Sequence, residues 1–120
     1  MSTSALHGRA VLIVEDEPLI AMDIETTLTA TGAHFTTTNS LDHALILVEH
    51  DHLSVAILDH SMGNEDNTVL YKRLSERGIP FLIYSAHYLP ENRRSGGAFL
   101  SKPALPQTLV AAVEDLIRGP

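Results

Sequence analysis

The chain has 120 residues, 44% of them hydrophobic and 19% charged, which suits one globular domain closing a single apolar core and argues against disorder. A formal charge of −7 lacks the basic footprint that phosphate backbones require, so no direct nucleic-acid partner is expected. There is no cysteine to build a disulfide or thiolate site, and no early apolar run is long enough for a signal peptide or a membrane-spanning helix, so the expectation is a cytoplasmic protein without membrane insertion. Residues 1–8 read as an N-terminal tail and 9–118 as the domain.

Val11-Leu12-Ile13-Val14 is a continuous apolar run of the kind found in strands buried on both faces. Pro18 suits a first helical turn, Ile20, Ile24 and Leu28 then recur every fourth residue, and Gly32 marks the stop. His34 to Thr38 reads as a second strand, Asn39 or Ser40 as a cap, and Leu41, Ala44, Leu45 and Val48 as the stripe of a second helix. Val55-Ala56-Ile57-Leu58 is another buried run, ended by Asp59. Asp66 or Asn67 is placed to cap a third helix carrying Val69, Leu70 and Leu74, closed by Gly78. Ile79 to Tyr84 forms a fourth strand despite Pro80, and Ala98-Phe99-Leu100 a fifth. Pro106 opens a last helix bearing Leu109, Val113, Leu116 and Ile117. Five strands alternating with four or five helices imply a parallel sheet covered on both faces. Right-handed crossovers then favour the flavodoxin-like doubly wound order 2-1-3-4-5.

In such sheets ligands sit beyond the carboxyl ends of the strands. The polar residues that follow the apolar runs are Glu15, Asp16 and Glu17, then Asp59, then Ser85, then Lys102. Gathered in one crevice, the carboxylates would repel one another and seek a hard divalent cation, for which Mg²⁺ is the usual choice near phosphates. One carboxylate could then attack phosphorus, Lys102 could neutralise phosphoryl oxygens, and Ser85 could donate a hydrogen bond to one of them. Taken singly these residues are ordinary: an acidic helix entry, a turn aspartate beside Ser61-Met62-Gly63-Asn64, a lone serine and a loop lysine. Only their joint order carries weight.

That order resembles the receiver domains of response regulators. The matching segments are Val11 to Pro18, Ile57-Leu58-Asp59, Ser85-Ala86 and Phe99-Leu100-Ser101-Lys102-Pro103, which together span most of the chain. The resemblance implies that Asp59 is the phosphoacceptor and that Glu15, Asp16, Asp59 and the backbone carbonyl of Ser61 hold Mg²⁺. It further implies that Lys102 contacts the phosphoryl group, that Ser85 and Phe99 are the switch pair, and that Lys102-Pro103 is a candidate cis bond. A histidine kinase or phosphotransfer protein would be the donor, and an unidentified protein the downstream partner. The chain also looks like short stand-alone receivers of alphaproteobacterial type, which have a similar Gly78-Ile79-Pro80-Phe81 entry to the fourth strand and often a Thr-Gly-Tyr-like segment where this chain has Ser85-Ala86-His87-Tyr88.

Three departures stand out. Gly63 follows Met62 where the family commonly has proline, which frees that loop. Ser85 and Phe99 lie only 14 positions apart, with Pro90 and Gly96-Gly97 between them, so a short or irregular fourth helix is expected. Family members often form homodimers through that helix with the last strand and last helix; a homodimer is among the expected partnerships, although this mode is weakened here. The switch aromatic is a phenylalanine, Phe99, without a hydroxyl to anchor either rotamer. His50 and His52 suggest a chelating pair but more commonly such residues are solvated, and His60 beside Asp59 is expected to point away from the site or across its rim and to tune dephosphorylation at about pH 6 to 7.

The reading is a phospho-accepting receiver rather than a turnover enzyme. Only Gly119-Pro120 follows the last helix, so output is expected through protein contact, or as a phosphate sink or relay, unless the chain is a piece of a longer protein. The main rival is a constitutive interaction module with vestigial phosphorylation. A hydrolase with an aspartyl nucleophile would need a second aspartate where Ser61 stands, and a flavodoxin-like cofactor carrier would need a glycine-rich loop where Glu15-Asp16-Glu17 stands.

Overall fold

A computed structural model describes residues 4–60 and 67–119. Its elements are β1 (Ala10–Val14), α1 (Pro18–Thr31), β2 (His34–Thr38), α2 (Leu41–His50), β3 (Val55–Leu58), α3 (Thr68–Glu76), β4 (Phe81–Ser85), β5 (Ala98–Ser101) and α4 (Pro106–Arg118). The five strands form one parallel sheet in the order β2-β1-β3-β4-β5, the flavodoxin-like order expected from the alternation of elements. Four α-helices cover it, and a single 3₁₀ turn, Glu91–Arg93, stands where a further helix would connect β4 to β5.

Strand alternation sorts the core into two layers. Leu12, Val14, Ala56, Leu58, Phe81 and Ile83 pack with residues of α2 and α3, including Ala44, Val48, Leu70 and Leu74. Val11, Ile13, Val55, Ile57, Leu82 and Tyr84 face the other way, against Ile24 and Leu28 of α1 and Leu109 and Val113 of α4. The central strands are buried on both faces, which is why they read as unbroken apolar runs. Thr-rich β2 lies at one edge and exposes His34, Phe35 and Thr36.

The helix boundaries follow local chemistry. Pro18 and Pro106 occupy first turns, where the missing N–H costs nothing. Ser40 caps α2 by accepting a hydrogen bond from the His43 N–H. Gly32 ends α1 in the left-handed region at φ 79°, and a Cβ there would also lie 2.4 Å from the His7 ring.

Several expectations are corrected. Residues 4–8 are docked rather than a tail: Leu6 is completely buried on the α1 and α4 side, the Ser4 hydroxyl donates to Glu114 at 2.7 Å, and the Gly8 N–H donates to Gly32 O at 2.9 Å. One leucine among polar neighbours is a weak signal in sequence but a complete side chain in the core. The fourth strand starts at Phe81, two residues later than expected, after Pro80, which has no N–H to give the ladder. Asn67 stands at the head of α3 without capping it, because its side chain turns back toward the end of β3. Asp66, the other candidate cap, lies outside the described residues, as do Met62, Gly63 and Asn64.

The β4–β5 connection is held by side chains in place of a helix. Leu89 is buried in the α2 and α3 layer, and the Arg94 Nε donates to its carbonyl at 2.7 Å. The Arg94 guanidinium lies 5.4 Å from the Tyr88 ring centre and 5.1 Å from that of Phe99, while the two rings meet edge to face at 5.3 Å. Gly97 lets the chain pass the Phe81 ring, where a Cβ would come within 2.3 Å.

Candidate functional site

The strand ladder continues past the ends of β1, β3 and β5. The Glu15 N–H donates to Thr38 O at 3.0 Å, the Asp59 N–H to Val14 O at 2.9 Å and the Lys102 N–H to Ser85 O at 3.0 Å. The first residue after each of these strands is thereby fixed at the carboxyl edge of the sheet, although the residues lie far apart in sequence.

Glu15, Asp16 and Asp59 each bring a carboxylate oxygen within 4.8 Å of the others, and theirs is the one such group of carboxylates or imidazoles among the described residues. His50 and His52 belong to no such group. Glu15 and Asp59 are only 3% and 7% exposed, whereas Asp16 stands at the rim. The Lys102 Nζ lies 2.9 Å from Glu15 Oε2 and 3.6 Å from Asp59 Oδ1, reaching across the Tyr84 ring at 5.6 Å from its centre. The second oxygen of Glu15 accepts the Glu17 N–H at 3.2 Å.

Burial pushes the Glu15 carboxyl above its ordinary range. The Lys102 hydrogen bond pulls it back, and the charge of Asp59 pushes it up again. Closely held carboxylates with one ammonium favour a cation, and a set made entirely of oxygen donors suits a hard divalent ion.

The other expected residues occupy distinct positions. Ser85 is fully buried at the end of β4, its Oγ accepting the His87 N–H at 3.2 Å, so its own O–H remains a donor. Phe99 is half-buried in β5 beside Tyr88 and Arg94. The Lys102-Pro103 peptide bond is cis. Ser61 lies outside the described residues. His60 points away toward α3, its Nδ1 2.8 Å from the Tyr71 hydroxyl.

Two contributors went unrecognised in the sequence. In sequence Tyr84 reads only as a strand residue, yet its ring underlies Lys102 and its hydroxyl accepts the Ala104 N–H at 3.0 Å. In sequence Asn67 reads only as a cap, yet its Nδ2 donates to Asp59 O at 2.8 Å and to His60 O at 3.0 Å.

Residues 11–114 match the family described as response regulator receiver domain. The chain belongs to that family. Among its relatives is a probable transcriptional regulator, ycf27, of Porphyra purpurea, 29% identical over 90% of this chain and 47% of the relative. This receiver thus spans about half the length of that protein. The Francisella response regulator 1452 receiver domain superposes with a TM-score of 0.79 at 29% identity, covering 92% of this chain and 98% of the other. The receiver domain of sensor histidine kinase PA1611 from Pseudomonas aeruginosa PAO1, with a magnesium ion coordinated in its active site cleft, has the same fold, with a TM-score of 0.81 at 21% identity over 93% of this chain and 99% of the other. Among the described residues no helix of the receiver is long and apolar enough to cross a membrane.

Proposed function

We propose that this receiver takes a phosphoryl group onto the Asp59 carboxylate from a phosphohistidine of a histidine kinase or phosphotransfer protein. The observation that carries the reading is the convergence of Glu15, Asp16 and Asp59 with Lys102 Nζ 3.6 Å from Asp59 Oδ1. An Asp59 oxygen forms the new bond to phosphorus, the donor's P–N bond breaks, and an acyl phosphate results. Glu15, Asp16 and Asp59 would hold Mg²⁺ through carboxylate oxygens, and the resemblance to the family implies the Ser61 carbonyl as a further ligand. When bound, Mg²⁺ offsets charge on the phosphoryl oxygens. Lys102 exchanges its Glu15 contact for a phosphoryl oxygen, and the Ser85 O–H donates to another.

Phosphorylation then biases a two-state equilibrium through Ser85 and Phe99, changing the surface formed by Phe99, Tyr88 and Arg94 that a downstream protein reads. Donor access is supported by exposed Leu19 and Met22 on α1 and by a cavity of about 380 Å³ lined in part by Ile20, Ile24, Pro103 and Leu109 and reaching Lys102. Ser61 stands where an aspartyl-nucleophile hydrolase would carry its second aspartate, which supports a single-turnover acceptor over a turnover enzyme.

Incubation with acetyl phosphate and Mg²⁺, read by intact mass, is expected to add one phosphoryl group per chain. The adduct should be absent without Mg²⁺ and absent in Asp59→Asn. An adduct that survives in Asp59→Asn would overturn the assignment. No adduct together with no Mg²⁺ binding would leave a contact module with the receiver fold.

A further inference from the structure

A strand that ends in a phosphoacceptor faces a backbone problem. The carbonyls of its last residues leave the ladder while still shielded from water, and each needs a donor. Here the carbonyls of Asp59 and His60 both receive the Nδ2 of Asn67, at 2.8 and 3.0 Å. Asn67 is 2% exposed, and its own carbonyl accepts the Tyr71 N–H at 3.1 Å in the first turn of α3. One residue therefore ties the end of β3 to the start of α3. Few side chains suit this place, since a primary amide carries two N–H donors on one atom and has no charge to bury. The amide's orientation is also fixed, because a flip would set Oδ1 against two carbonyl oxygens.

We infer that Asn67 is a positioning residue for the chemistry at Asp59. With its N–H held by Val14 O and its C=O held by Asn67, Asp59 is fixed on both sides of its peptide frame, and its carboxylate is thereby aimed at Glu15, Asp16 and Lys102. His60 adds a second tie, its imidazole meeting the Tyr71 hydroxyl one helical turn beyond Asn67. Side chains that must hold a reacting atom in place lose rate steeply when the frame loosens. This inference rests on Asp59 as the phosphoacceptor.

The test compares Asn67→Ala and Asn67→Ser with the wild-type chain, measuring Mg²⁺ affinity and the acetyl phosphate rate constant at saturating Mg²⁺, well below each variant's Tm. Val113→Ala, in the opposite core layer, serves as a control for lost stability alone. Asn67→Ala is expected to lower the rate constant about tenfold or more and to weaken Mg²⁺ binding. Asn67→Ser, which keeps one donor, should recover part of both, while Val113→Ala should lower Tm and change neither. A folded Asn67→Ala with rate and affinity within about twofold of wild type would overturn the inference; should it fail to fold, the same result in Asn67→Leu, which also lacks a donor, would do so. If the wild-type chain takes no adduct and binds no Mg²⁺, the phosphoacceptor reading falls; if it binds Mg²⁺ without an adduct, the Mg²⁺ affinities of the variants still decide whether Asn67 positions the carboxylates.

Discussion

Glu15 sits between an ammonium that favours its charge and a burial that opposes it, and burial wins. A carboxyl whose folded-state value is raised binds its proton more tightly folded than unfolded, so its charge costs stability at high pH. Glu15→Gln should therefore be more stable than wild type above the raised value in the absence of metal. That advantage should fade as pH falls through the raised value toward the ordinary 4.5. Denaturant titrations across this range, without divalent ions, check the sign; a constant difference at all pH values would contradict it. The opposite sign applies to Glu49, held below its usual range first by its hydrogen bond from Arg73, whose contribution is present above the ordinary value and lost as pH falls. The acidic residues, Asp59 and Lys102 were legible in the sequence because each follows an apolar run at a strand's carboxyl end. Tyr84 and Asn67 were not, since a ring beneath an ammonium and an amide bonding backward leave no pattern in sequence.

Elements that look peripheral carry part of the core. Leu6 is completely buried against the layer formed by α1 and α4, so Leu6→Ala should cost about 2–5 kcal/mol, as other buried leucines do, and a denaturation curve will show it. A tail that merely rested on the surface would lose almost nothing. The Ser4 hydroxyl is the first cause holding the Glu114 carboxyl low, so Ser4→Ala should move that carboxyl back up toward its ordinary value in a titration followed by NMR. On the opposite side, Gly97→Ala forces the Phe81 ring away from the β4–β5 connection. We expect a loss of about 1–3 kcal/mol, typical of overpacking, measurable by the same denaturation. The irregular connection was legible from Pro90 and Gly96-Gly97, which disfavour a helix. The aromatic and Arg94 contacts that replace the helix were not, because they depend on where the chain turns rather than on any period.

At the scale of the whole molecule, the sheet order followed from physics that sequence displays well. Continuous apolar runs mark strands buried on both faces, helical periods mark their covers, and right-handed crossovers leave few arrangements. The same topology explains why the site sits where it does, since the ends of β1, β3 and β5 share one edge of the sheet. What the sequence could not display is how side chains join neighbouring elements: Leu6 under α1 and α4, or Asn67 between β3 and α3. The proposed chemistry delivers a phosphoryl group to one carboxylate, that of Asp59. The most direct measurement traps the acyl phosphate by borohydride reduction after incubation with acetyl phosphate and Mg²⁺, then maps the peptides by mass spectrometry. The account predicts homoserine at position 59 alone. Homoserine at position 16, reduced glutamate (2-amino-5-hydroxypentanoic acid) at position 15, or neither product in a sample that gained phosphoryl mass, would contradict it.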